Sequence, residues 1–152
     1  MILKILTYPN KILTKKTKQV GQIDADIKKL INDMAETMYA APGVGLAANQ
    51  VGAAKQIAVI DIGDGLKVLI NPKIKQKKGQ QTNAEGCLSL PGVELKIKRP
   101  ERLTVKHIDR AGQPQKLKAA GLLARAICHE IDHLNGKTIL DRTGWLLRRK
   151  IK

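Results

Sequence analysis

The 152-residue chain contains no phenylalanine, one tryptophan (Trp145) and two tyrosines (Tyr8, Tyr39). A surface that grips single-stranded nucleic acid by stacking bases on aromatic rings therefore lacks its material, and nothing else in the sequence points to specific DNA recognition. Cysteine is nearly absent as well. Cys87 and Cys128 stand 41 positions apart, too few for a disulfide-stapled secreted scaffold. Nothing at the N-terminus resembles a signal peptide, because Met1-Ile-Leu-Lys-Ile-Leu6 is short and runs straight into Thr7-Tyr-Pro-Asn10. No apolar run approaches the ~20 residues needed to cross a bilayer. The expectation is a cytoplasmic, reduced protein with no membrane span. Acidic residues are scarce, 13 against 28 lysines and arginines, for a formal charge of +15. Such a balance favours anionic partners, with ribosome association through a basic surface the one to test, and it is equally served by a solvated lysine-rich exterior.

What the chain does have is 43% apolar residues, enough for the core of a single domain over 1–152, with 142–152 as a short basic tail. Ile27, Leu30, Ile31, Met34 and Met38 recur at helical spacing between the cap candidate Asp24 and Pro42-Gly43, predicting an amphipathic helix over 25–41 with its methionines as core filler. Residues 56–62 and 66–70 read as strands joined by the turn signal Gly63-Asp64-Gly65, and so as a hairpin. Val93–Lys98, Arg102–Ile108 and Gln115–Lys118 suggest further antiparallel strands. A second helix is predicted from Gly121, with Leu122, Leu123, Ala126 and Ile127 as its buried stripe and Asn135-Gly136 as its stop. The fold class is α+β, with antiparallel sheets packed around the second helix and the amphipathic helix near the N-terminus.

That second helix carries His129-Glu130-Ile131-Asp132-His133. Residues four apart share a helical face, so both imidazoles can reach one metal ion while Glu130 addresses water beside it. Two histidines do not complete a catalytic site, which uses three protein ligands and an open position. Zinc proteases with this helix take the third ligand from downstream, but after His133 there is no His, Glu or Cys and only Asp141 among carboxylates. Upstream, Cys87 in Glu85-Gly-Cys-Leu-Ser-Leu-Pro-Gly92 is the natural candidate, with Gly86 as a small neighbour permitting close backbone approach. Read by itself, Cys87 is more readily a buried free thiol, which is what most lone cysteines are. Cys128 projects about 100° away from His129 around the helix and reads as packed.

Gly43-Val-Gly-Leu-Ala-Ala-Asn-Gln50, Glu85-Gly-Cys-Leu-Ser89 and His129-Glu-Ile-Asp-His133 resemble, in order and spacing, the three signature motifs of peptide deformylases. The similarity extends to Tyr8-Pro9, Leu69-Ile-Asn-Pro72 and Gly121-Leu-Leu-Ala-Arg125, covering the chain from about Ile2 to Asp141. It departs from the family at Cys128, where Gln is frequent, and in a tail shorter than the long terminal helix of many bacterial members. The resemblance implies removal of the N-formyl group from the formylmethionine of nascent polypeptides, with release of formate. It implies that Cys87, His129 and His133 hold one divalent ion, typically Fe2+, although Zn2+, Ni2+ or Co2+ suit the same donors. Glu130 would be general base and then proton donor, and the Gln50 amide with the Leu88 N–H would stabilise the oxyanion. Val44, Leu88, Leu122 and Ala126 are candidates for the methionine pocket, and backbone near Gly43, Gly45 and Gly86 could pair with the substrate as an added strand. Arg99 is a candidate partner for Glu85, and Asp132 for a supporting role behind the ligands. Rival readings are a metalloprotease or other amide hydrolase using the same helix, a protease being one that would cut internal peptides, and a non-enzymatic basic protein that binds RNA or the ribosome, which would bind no metal.

Overall fold

Asp24 opens the first long helix by accepting a hydrogen bond from the Ile27 N–H at 3.0 Å, which satisfies a donor that has no partner within the helix. In this computed structural model, which describes residues 1–143, that helix is α1, Ala25–Ala40. Ile27, Ile31, Met34 and Met38 line its buried face and meet Leu46, Ile57, Val59 and Ile70 in one core cluster, with Leu30 partly buried against it. The methionines are core, as their spacing predicts.

Five antiparallel strands form the larger sheet in the order β1-β2-β3-β6-β7: β1 Gly45–Ala47, β2 Ile57–Ile60, β3 Lys67–Lys78, β6 Arg102–Ile108 and β7 Pro114–Ala120. β4, Gln81–Cys87, and β5, Leu90–Arg99, make a separate two-stranded ribbon. The predicted hairpin is the β2–β3 pair, its turn tied by Asp61 Oδ1, which accepts from the N–H groups of Gly63 and Gly65 at 2.8 and 3.2 Å. β3 does not stop at Ile70 as the sequence suggests. It runs on to Lys78, and Pro72 falls where the β3–β6 register slips between Ile70 and Lys73, an irregularity that tolerates a residue with no N–H to donate.

The second helix, α2, spans Gly121–Leu134. Leu123, Ala126 and Ile127 pack on Ile60, Leu69, Leu103 and Val105 of the sheet. Leu122, predicted in that stripe, is instead 54% exposed, because it projects beyond the sheet over a cleft described below. The N-terminal segment straps the two site-bearing loops together: the Leu6 N–H donates to the Gln50 carbonyl at 2.7 Å and the Tyr8 N–H to the Ser89 carbonyl at 2.8 Å. Among the described residues no helix is long and apolar enough to cross a membrane. The part of the basic tail that carries Trp145, Leu146, Leu147 and Arg148-Arg149-Lys150 lies outside the described residues.

Candidate metal centre

The helical repeat of α2 puts His129 and His133 on one face, with their Nε2 atoms 3.2 Å apart. β4 delivers Cys87, whose Sγ lies 3.2 Å from His133 Nε2. The three donor atoms all fall within 4.8 Å of one another. A sulfur and two imidazole nitrogens at such separations fit a divalent ion bound at about 2.3 Å by sulfur and about 2.0–2.1 Å by nitrogen, with a further position for water or substrate.

The ligand geometry is braced from behind. His129 Nδ1 meets Glu85 Oε1 at 2.9 Å, a contact that orients the ring and leaves Nε2 for the ion. Arg99 grips both oxygens of Glu85 at 2.9 Å through Nε and Nη2, and Arg125 Nη1 donates to Glu85 Oε2 as well. Burial alone would raise the Glu85 pKa, but the Arg99 and His129 hydrogen bonds outweigh it and hold the carboxyl at about 2. Arg99 continues through Nη1 to Asp132 Oδ2 at 2.6 Å, and Arg142 closes on Asp132 through Nε at 2.9 Å and Nη2 at 2.6 Å. A run of ion pairs thus joins the cysteine ribbon to the histidine helix. The expected Glu85–Arg99 pair is present, and Asp132 supports the helix from the side away from the cleft.

Glu130 is 3% exposed, and its Oε1 has no hydrogen-bond partner among the described residues. Burial pushes its pKa up to about 7. Its carboxylate lies against Gly45, where any Cβ would collide with Glu130 Oε2, so the first signature segment must be glycine at that point for the acid to fit. Burial and the neighbouring His129 push the His133 pKa down, toward the neutral form that binds metals. Burial opposes protonation of His129 too, yet the Glu130 charge and the Cys87 and Glu85 contacts overcome it, so the local field favours a positive charge beside its ring.

Gln50 sits in the 3-10 turn Ala48–Val51. The Ala47 N–H donates to its Oε1 at 2.9 Å, which turns Nε2 toward the site, 3.1 Å from Ser89 Oγ and 3.8 Å from Cys87 Sγ. Cys87, His129, Glu130 and Gln50 border a cleft of about 500 Å³, the third donor His133 being fully buried beside it, and the predicted Gly43, Val44, Gly45, Gly86, Leu88, Leu122 and Ala126 all line it. Val44 and Leu122 are exposed at its mouth, and Ala126 is buried at its base. A Cβ on Gly43 would come within 2.8 Å of Leu88 Cδ1, whereas one on Gly86 would make only an ordinary 3.7 Å contact with the Val93 carbonyl. The close approach expected at Gly86 therefore occurs instead at Gly43 and Gly45. Cys128 is buried away from the donors, among Ala124, Ile127 and sheet residues, and burial pushes its thiol pKa up.

Sequence reasoning missed three supports. Arg125 precedes His129 by four residues, so their shared face offered a signal for its grip on Glu85. Asn49 donates through Nδ2 to the His133 carbonyl at 2.5 Å, and Ser89 meets Gln50. Both lie within the recognised motifs, but no pattern in the sequence reveals their partners.

The fold and this site define an α+β protein with a Cys–His–His donor set beside a buried glutamate, walled by two glycine-bearing loops. The sequence matches the polypeptide deformylase family over residues 2–148, further into the tail than the motifs alone indicate, and the chain belongs to that enzyme family. A peptide deformylase of Thermoanaerobacter pseudethanolicus is 50% identical over 133 residues, covering 88% of this chain and 84% of the relative. One from Thermodesulfovibrio yellowstonii is 47% identical, covering 97% and 92%. Among solved structures, a peptide deformylase from Legionella pneumophila superposes with a TM-score of 0.96 at 44% identity, covering 99% of this chain and 91% of that one. One from Synechococcus elongatus, in complex with actinonin, gives 0.93 at 44% identity, covering 98% and 83%.

Proposed function

We propose that the whole chain is a single catalytic domain that removes the formyl group from N-formylmethionyl nascent peptides by metal-dependent hydrolysis in the cytoplasm. The observation that carries this reading is the convergence of Cys87 Sγ with the Nε2 atoms of His129 and His133 within 4.8 Å, beside the cleft that Cys87, His129, Glu130 and Gln50 line. Family membership supports the substrate. Cys87, His129 and His133 hold one divalent ion, Fe2+ in the cell by family resemblance. When bound, such an ion supplies Lewis acidity that makes water a competent nucleophile near neutral pH.

Glu130 accepts the proton of the attacking water on its carboxylate and returns it to the departing amine. Its raised pKa, about 7, suits a group that must both take and give a proton near neutrality. Gln50 Nε2, fixed by the bond from Ala47, and the Leu88 N–H donate to the oxygen on which charge develops, each worth roughly 3 kcal/mol at such positions. Val44, Leu88, Leu122 and Ala126 receive the methionine side chain, and backbone of Gly43, Gly45 and Gly86 pairs with the peptide. Reading only the backbone beyond the first residue would let one site serve many sequences. Association with the ribosome through basic surface places the enzyme where its substrate emerges.

The deciding measurement is formate release from formyl-Met-Ala-Ser by protein prepared anaerobically with ferrous iron, beside a chelator-treated control. Rapid release that the chelator abolishes is expected. Full metal occupancy with no release would assign the site another substrate.

A further inference from the structure

α2 has a second cavity behind it. On the side away from the cleft lies a recess of about 510 Å³, floored by Cys128, Ile131 and Asp132 of the helix and walled by β3, the end of β5 and residues near Lys16. Its lining carries Lys16, Lys73, Lys77, Lys98, Arg99 and Arg142, against one carboxylate, Asp132. Both oxygens of that carboxylate are already taken, Oδ2 by Arg99 and Arg142 and Oδ1 by Arg142. The four lysines come from three separated stretches of chain, and no carboxylate among the described residues pairs with any of them. Lys73 is further opposed by Lys106 across the β3–β6 ladder, and Lys106 by Lys116 across β6–β7. Like charges directly opposite one another destabilise a sheet, and an anion relieves them.

A concave surface of one sign concentrates its field and draws counter-ions far better than the same charges spread over a convex exterior. Lysine ammonium groups recognise phosphate as point charges without demanding fixed geometry. No aromatic residue lines the recess, so it has nothing on which to stack a base. We propose that this recess is a second binding site, specific for phosphate groups and blind to what they are attached to, set behind the metal helix and separate from the substrate cleft. The phosphates could be free anions or those of an RNA backbone, and one experiment separates the two.

The holoenzyme loaded with Zn2+ is titrated with inorganic phosphate at constant ionic strength, and bound phosphate is followed by 31P NMR. Saturable binding of one phosphate is expected, weakened at least tenfold in Lys77→Ala/Lys98→Ala and unchanged in the equally discharged control Lys28→Ala/Lys118→Ala. Formate release is expected to be the same in all three proteins, so the result does not depend on the activity assigned to the cleft. A short RNA duplex that displaces phosphate from the native protein, but binds the recess variant more weakly, identifies the RNA backbone as the source. Failure to displace assigns the recess to free phosphate. The absence of saturable binding, equal weakening in the control, or binding indifferent to the recess substitutions would each overturn the proposal.

Discussion

The two faces of α2 border cavities of nearly equal size, about 500 and 510 Å³, with opposite electrostatic character. The cleft in front is lined by Glu85, Glu94 and Glu130 with Arg125 as its one arginine or lysine. The recess behind is lined by six lysines and arginines and a single aspartate. Positions one apart on the helix, Cys128 and His129, look into different chemistries. The helix itself contributes little to this contrast. What differs is the chain that folds against each face: glycine-bearing loops and the cysteine ribbon in front, lysine-rich β3 and the end of β5 behind. A helical motif therefore states which residues share a face, and the elements packed against it decide what that face can do.

The sharpest way to break the comparison is to exchange the fates of the two cysteines. Cys87→Ala is expected to abolish stoichiometric metal binding and, with it, formate release, because two imidazoles alone do not hold the ion tightly. Cys128→Ala should leave metal content and turnover intact and cost about 1 kcal/mol of stability for a small buried group. Metal analysis of the two purified variants checks both, and loss of metal from the second alone would exchange their roles. Next in size, Glu130→Gln keeps the shape and the metal but removes the proton acceptor, so kcat should fall roughly 100- to 10,000-fold with metal content unchanged. A fully active variant would remove Glu130 from the mechanism.

Arg99 links the two faces, bonded to Glu85 on one side and Asp132 on the other. Arg99→Met leaves two buried carboxylates short of their counter-charge, a change that costs about 3–5 kcal/mol in such settings, and it loosens His129 through Glu85, with an expected 10- to 100-fold loss of metal affinity, a range of roughly that size being usual for outer partners. pH adds a signature. Glu85 is held at about 2 against an ordinary value of 4.5. A depressed carboxylate stabilises the fold fully above the ordinary value and loses that contribution as pH falls through the depressed one. Acid unfolding of the native protein should draw on Glu85 between about pH 4.5 and 2, and the variant should begin to unfold at higher pH. Identical acid midpoints would show that Arg99 does not set the Glu85 charge.

The ease of reading this chain tracked burial. α1, α2 and the β2–β3 hairpin were legible because each hides one face and its apolar residues repeat at the matching period. The candidate metal ligands, whose donor atoms the fold brings together, were legible for another reason, since coordination demands particular side chains at particular spacing. β4, the short β1 and the second half of β3 were not. Gln81–Cys87 contains no large aliphatic residue, and β3 beyond Pro72 is mostly exposed lysine and glutamine. The pairing of these two is backbone hydrogen bonding, which leaves no trace in side-chain hydropathy, whereas β1 buries Leu46 and Ala47 but at three residues is too short to show a period. Leu122 misled for the converse reason, an apolar residue in helical register that the fold leaves at the mouth of a cleft. The run from Arg142 through Asp132, Arg99 and Glu85 to His129 spans segments far apart in sequence. Only its Glu85–Arg99 link could be anticipated.

The smallest effect expected separates the scaffold from the site altogether. Asp24 caps α1 through the Ile27 N–H, and Asp24→Ala should cost about 1 kcal/mol, read as a lower urea midpoint with an unchanged slope. α1 reaches the cleft by packing beneath Leu46 in β1, one residue from the glycine that makes room for Glu130, and through the Met38 carbonyl, which accepts from the N–H of the cleft residue Gly43 at 2.9 Å. If the core transmits no strain, kcat/KM stays at the native value while the midpoint falls. If turnover falls as well, the α1 stripe sets the distance between Gly45 and Glu130, and the division of the molecule into a passive core and an active cleft gives way at β1.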